Sequence, residues 1–234
     1  MNILSIDFDF FQKIPKEALS AYPDGIDLPT DVSNIIWASH MQLDKERLDT
    51  VVFDTEKFEF IKQLLKKQKP NTEIMIASSH KTAYAFILET LYKTKNENTA
   101  LTNIDLHHDL DNNNPNVDCG NWIKHLLKEG RIKGFQWVLQ PESQKVYDLS
   151  DDELKQMHAT TNINIIKDTM FDAIFICRSN PWLYPKFDTQ FDELFRLCSQ
   201  HFKAIIAEPD VRQPRQIPLK EMEGALSCLQ HTQS

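Results

Sequence analysis

The sequence predicts an α/β protein, built as three α/β/α layers around a mostly parallel sheet. Three observations carry that prediction. Short apolar, β-prone runs alternate with amphipathic stretches along the whole chain, the pattern of strands joined by crossover helices. The 234 residues are 41% hydrophobic and 26% charged, enough apolar material for a core. Polar residues cluster directly after the apolar runs, where such sheets gather ligands. No internal repeat or Gly/Ser linker divides the chain, so residues 1–234 read as a single domain.

The elements follow in order. Asn2–Ile6 is apolar and β-prone, and acids come next. Gln12–Thr50, with Pro15, Pro23, Pro29 and Trp37, reads as a loop that shapes the mouth of a site. Asp54 is a cap candidate for a helix with Phe58, Ile61, Leu64 and Leu65 on one face. Glu73–Ala77 is a short strand, and Ala83–Tyr92 a helix with Tyr84, Ile87, Leu88 and Leu91 on one side. Leu101–Leu106 returns to strand. A helix carrying Trp122, Ile123, Leu126 and Leu127 stops at Gly130, a left-handed cap. Phe135–Leu139 is a strand, and Ser150–Glu153 a capping box that starts a helix running toward His158. Phe171–Cys177 is a strand, Phe191, Leu194, Phe195 and Cys198 mark a helix, and Ala204–Ala207 is the last strand.

Composition excludes several classes. The longest apolar runs, such as Ala173–Cys177, fall far short of the roughly 20 residues of a membrane span. The start, Met1–Asp7, has no basic leader and meets acid at once, so it does not read as a signal peptide. The formal charge is −8, and the one basic block, Lys66–Lys69, reads as a solvated helix end, which gives nucleic acid and membrane surfaces little to hold. Cys119, Cys177, Cys198 and Cys228 form no CxxC pair and read as reduced thiols of a cytoplasmic protein. The sequence does not specify an oligomeric state.

The sharpest chemical signal is Asp105-Leu106-His107-His108-Asp109. On an extended backbone, alternate side chains share a side, so Asp105, His107 and Asp109 converge. Close carboxylates raise each other's pKa, and a divalent cation removes that penalty. Asp7 and Asp9 repeat the pattern after the first strand, and His80 lies in the turn after Glu73–Ala77. Asp7, Asp9, His80, Asp105, His107 and Asp109 together are too much negative charge for one ion and suit a pair. Hard carboxylates with some imidazole favour Mn²⁺, with Fe²⁺, Zn²⁺ and Co²⁺ as competitors. Two such ions sharing a water produce a hydroxide near neutral pH. His108 points away from His107 and is a core histidine or a substrate contact.

These residues resemble the arginase–ureohydrolase superfamily, whose binuclear manganese site uses a His at a strand end, a later Asp-x-His-x-Asp and an Asp-x-Asp. His80 matches the first, Asp105, His107 and Asp109 the second, and Asp7 and Asp9 the third. In arginases the third motif comes late in the chain. Here Ser5-Ile6-Asp7-Phe8-Asp9 is N-terminal, which implies a permuted strand order within an arginase-like fold. Ile3–Phe11 and Asp118-Cys119-Gly120-Asn121-Trp122-Ile123 are similar to a narrower group, the small arginase-related proteins that include peptide arginases of ribosomal-peptide maturation. The resemblance implies two Mn²⁺ per chain and an arginine-containing precursor peptide as partner. It implies hydrolysis of peptidyl arginine to ornithine and urea by a metal-bridging hydroxide, with Asp109 orienting it.

That chemistry asks for further groups. The leaving amine needs a proton, and His108 and His125 are candidates. A guanidinium needs a carboxylate; Glu208 is the first candidate, with Asp118 and Asp210 as alternatives. Asn121 is a candidate for substrate or peptide backbone, and equally a helix cap. Arg178 is a candidate for a peptide carboxylate or for pairing with an acid of the site. Two other enzyme classes compete: an arginase-fold amide deacetylase with one zinc, and a haloacid-dehalogenase-type phosphohydrolase using Asp7. A non-enzymatic binding protein with a vestigial metal site is the third alternative.

Overall fold

The computed structural model describes residues 1–23, 27–96, 98–111, 114–143 and 149–220. Cys228 lies outside the described residues; Cys119, Cys177 and Cys198 are free thiols. No helix among the described residues is long and apolar enough to cross a membrane.

Seven strands form the main sheet: β1 (Asn2–Asp7), β4 (Glu73–Ala77), β5 (Ala100–Ile104), β6 (Gly134–Val138), β7 (Ala159–Thr160), β8 (Ala173–Cys177) and β9 (Ile205–Ala207). Their order is β7-β6-β5-β1-β8-β4-β9, and every pairing is parallel. A second, antiparallel pair joins β2 (Gln12–Lys13) to β3 (Val52–Phe53). The sequence places the seven main strands within about two residues of where they lie, apart from β7, which it does not mark.

Alternation along the strands builds two cores, one on each face. Leu4, Ile6, Ile104, Ile174 and Ile176 pack with Phe58, Ile61 and Leu65 of the helix Thr55–Lys67 and with Phe191 and Leu194 of the helix Asp188–His201. Ile3, Leu101, Phe135 and Phe175 pack on the other side with Phe86 and Ile87 of the helix Thr82–Thr94 and with Trp122, Ile123 and Leu126 of the helix Trp122–Lys128. Each fully buried apolar side chain contributes about 1.5–3 kcal/mol. The predicted caps are present. Asp54 accepts from the Lys57 amide, Ser150 and Glu153 close a capping box, and Gly130 sits at φ 65°, which suits a residue without Cβ.

One stretch differs from expectation. Gln12–Thr50 is not a loop throughout: it holds a 3₁₀ segment (Lys16–Ala21), a 14-residue helix (Thr30–Leu43) and a short helix (Lys45–Leu48). Pro29 stands just before the helix Thr30–Leu43, so it marks a start rather than a break. Trp37 holds the helix in place. It is fully buried, stacks on Tyr184, and donates from Nε1 to the Asn180 carbonyl.

Candidate metal centre

Strand register brings the acids together. On β1, Ile3, Ser5 and Asp7 share a face; on β5, Leu101 and Asn103 share it, and Asp105 continues it. Ser5 is level with Asn103 and Ile6 with Ile104, so Asp7 and Asp105 emerge side by side at adjacent strand ends. On its other side Asp7 is level with Cys177 of β8, which is level with Ala77 of β4. Three residues past Ala77, His80 turns back over that edge, its ring packed near Trp122 and parallel to Phe175. The sheet order changes direction around β1, where ligand crevices form in doubly wound sheets.

The 105–109 motif converges by a different route from the one the alternation predicts. β5 ends at Ile104. The following residues bend, and Asp109 has φ 54°, a left-handed conformation that Asp tolerates better than most residues. The bend, not an extended strand, carries Asp109 to His80.

The resulting geometry is compact. His80 Nδ1 lies 3.1 Å from one carboxylate oxygen each of Asp7, Asp105 and Asp109. His107 Nδ1 lies 3.1 Å from Asp9 Oδ2 and 3.6 Å from Asp105 Oδ1. Two sets of ligating atoms, Asp7–His80–Asp105 and Asp9–Asp105–His107, each fall within 4.8 Å and could hold a metal ion. Asp105 belongs to both: Oδ2 faces the His80 set and Oδ1 the His107 set. All six predicted ligands are therefore in one place.

Neighbours fix these side chains. Ser5 Oγ lies 2.6 Å from His80 Nε2, so Nε2–H can donate to Ser5 and Nδ1 faces the acids. Trp122 Nε1 donates to Asp109 Oδ2 at 2.6 Å, Asn103 Nδ2 to Asp105 Oδ2, the Asp9 amide to Asp7 Oδ1 and the His107 amide to Asp105 Oδ1. Such outer hydrogen bonds orient metal ligands. Asp9 Oδ2 is buried without an aligned hydrogen bond, the His107 ring nitrogen standing 3.1 Å away. An anionic oxygen left that way is costly, and a cation beside it removes the cost; the donor set fits a divalent metal.

The electrostatics agree. Burial, together with the neighbouring carboxylates, raises Asp7 and Asp109 to about 7, and burial raises Asp9 also. Burial opposes the charging of Asp105 and of His80, but His107 and His80 outweigh it at Asp105, and Asp109, with Asp105 and Asp7, outweighs it at His80. Asp105 is held well below the usual carboxylate range, and His80 well above that of histidine. The site thus retains protons where a metal would otherwise supply the positive charge.

A cavity of about 580 Å³ opens onto the centre, lined by Asp7, His80, His107 and Asp109 together with Asp118, Trp182 and others. The remaining predicted residues divide around it. Asp118 is on its wall, with Oδ1 accepting from the Gly120 amide. Glu208 and Asp210 line an adjacent cavity instead. Glu208 accepts from the Ser78 amide and hydroxyl and from the Thr82 hydroxyl. Asn121 is buried and occupied by its own loop, accepting from the Asp118 amide and donating to the Asn114 and Asn116 carbonyls. It precedes the helix Trp122–Lys128 without capping it through its side chain. Arg178 is buried, and it donates to Asn180 Oδ1 and to the Gln213 and Asp210 carbonyls, so it ties down a chain segment rather than an acid of the centre. His108 sits edge-on to Trp137, its Nδ1 accepting from the Leu110 amide, and burial pulls its pKa down. His125 packs edge-on to Tyr84. Neither histidine lines the cavity at the centre.

Sequence reading missed Ser5, Asn103, Trp122 and Trp182. Ser5 and Asn103 had a signal: each is a polar residue inside an otherwise apolar strand, on the face that ends in an acid. Comparison with family models, curated proteins and solved structures finds no match.

Proposed function

We propose that this protein is a manganese-dependent binuclear hydrolase that cleaves the guanidinium group of peptidyl arginine, giving ornithine and urea. The observation that carries the reading is the division of Asp105 between two histidine-centred sets. Four carboxylates against two imidazoles balance the charge of two divalent ions, and the hard donors favour Mn²⁺. Bound there, two such ions would supply a hydroxide near neutral pH.

The chain's own groups do the rest. Asp109 is held by Trp122, so its carboxylate keeps one orientation at the reaction volume. Asp118, which shares the cavity wall with Asp27 and Asp111, is the carboxylate we assign to the guanidinium fork. Trp182 lies 4.5 Å from the His107 ring, centroid to centroid, and offers a flat face to a planar cation. Net hydrolysis adds one water across the C–N bond: urea leaves, and the ornithine amine takes the proton.

The deacetylase alternative needs one metal set, and the second set around His107 has no part in it. The phosphohydrolase alternative needs a free nucleophilic carboxylate, whereas Asp7 and Asp9 are each drawn to a histidine. The test is incubation of manganese-loaded protein with arginine peptides and with free arginine, followed by mass analysis. Loss of CH₂N₂ per arginine, with urea released, supports the reading. No mass change on any arginine substrate by protein shown to hold two ions overturns it.

A further inference from the structure

Beside the centre lies a second, larger cavity of about 860 Å³, at the upper end of the range for ligand sites. The two cavities share Asp27 and Lys81 on their walls. They lie on either side of one turn: His80 reaches into the centre, while Ser78, Ser79 and Thr82 line the second cavity. Consecutive Cα atoms are about 3.8 Å apart, so a chain leaving the first cavity needs few residues to enter the second.

The acids on this second wall meet hydroxyls and amides rather than cations. Asp27 accepts from Ser79 Oγ, Asp210 from Thr30 Oγ1, and Glu208 from Ser78 and Thr82. Asp31 is exposed at the start of the helix Thr30–Leu43. Of the three wall cations, Arg215 is bound to Asp188 and Arg178 to carbonyls of its own chain, leaving Lys81. A second observation is independent of charge. Asn34, on the same wall, is only 8% exposed, and its Oδ1 has no hydrogen-bond partner among the described residues.

We propose that this second cavity is a subsite for the part of a cationic peptide next to the arginine being processed, binding a basic side chain through Asp31 and Asp210 and a backbone or ammonium N–H through Asn34. The inference rests on the peptidyl-arginine reading of the centre and extends it: a basic residue beside the target arginine selects the substrate.

The experiment uses manganese-loaded protein and two fluorescein-labelled peptides of equal length. Each carries ornithine, the product residue, at its middle, flanked in one peptide by lysine and in the other by serine. Fluorescence anisotropy at low ionic strength is expected to show the lysine peptide bound about fivefold tighter, the scale of one or two exposed ion pairs. That preference is expected to fall below twofold in the Asp31→Asn, Asp210→Asn double variant. It is expected to vanish for the wild type near 1 M salt, where the screening length is about 3 Å; this second measurement does not depend on the variant folding. Equal binding of the two peptides by the wild type at low salt, or a preference that survives both perturbations, overturns the subsite. Parallel assays with the matching arginine peptides separate the two readings. Ornithine formed at equal KM from both peptides removes the subsite and keeps the hydrolase. Selective binding with no ornithine from either removes the hydrolase and keeps a cation-binding cavity.

Discussion

Replacing Ser5 by alanine tests the centre without touching a ligand. Ser5 is fully buried in the middle of β1, and its hydroxyl lies 2.6 Å from His80 Nε2. Without that oxygen, Nε2–H faces a wall of packed side chains, and a buried donor left unsatisfied costs about 1–3 kcal/mol. The imidazole escapes the cost by giving up the Nε2 proton and keeping the one on Nδ1, the atom that the three carboxylates surround and that a metal needs bare. Loss of an outer partner of this kind weakens metal binding about 10–100-fold, equivalent to about 1.4–2.7 kcal/mol. The two routes to the magnitude agree. Manganese titration by calorimetry, with melting curves of the metal-free wild type and variant as the control for folding, measures it. A folded Ser5→Ala protein that binds manganese within twofold of wild type refutes the idea that Ser5 sets the histidine's presentation.

Three further outcomes are expected. Asp105→Ala removes an oxygen from both sets and should abolish activity and both binding steps in calorimetry, whereas Asp9→Ala should remove only one of two manganese ions and also abolish activity; circular dichroism should show the fold retained in each. In metal-free protein, Asp7 and Asp109 hold protons up to about pH 7 but lose them near pH 4 once unfolded. The folded state therefore binds more protons between those values, and its stability falls as pH rises. The raised His80 adds stability below about pH 6.5 that is lost as pH rises through its higher folded value. Thermal melts should give a higher Tm at pH 6 than at pH 8 without metal, and manganese should erase or reverse the difference; a metal-free Tm that rises over that range contradicts the assigned shifts. Finally, Glu208→Gln should lower stability by about 1–3 kcal/mol, because one of its acceptor positions on Ser78 and Thr82 becomes a donor, with kcat on serine-flanked peptides within a few-fold of wild type. A denaturant titration paired with steady-state kinetics separates the two effects.

The ligands were legible because their spacing is local. Asp105, His107 and Asp109 lie within five residues, and the strand ends gave Asp7 and His80 a common edge. What spacing cannot say is which side of a turn a group faces. Glu208 stands at a strand end as expected, yet its strand is at the sheet margin, and its carboxylate is drawn to hydroxyls of the next turn. His108 is adjacent to a ligand in sequence and faces Trp137 because the chain bends after Ile104. Arg178 reads as a functional cation, but its donors are taken by carbonyls some 30 residues away in sequence, which no local pattern reveals. The segment Gln12–Thr50 was opaque for a related reason: its helix is stabilised by Trp37 against Tyr22, Tyr184 and Asn180, while its prolines signal interruption.

The place of β1 has a consequence for how the protein is made. β1 leaves the ribosome well before its neighbours, which arrive only with residues 100–104 and 173–177, yet it is the middle strand of the finished sheet. Until then Asp7 and Asp9 trail from an unpaired hydrophobic segment. Pairings so distant in sequence form slowly, so the sheet closes around β1 only after residue 177 has emerged, and a nascent chain stalled earlier would be a client for chaperones rather than a partly assembled domain.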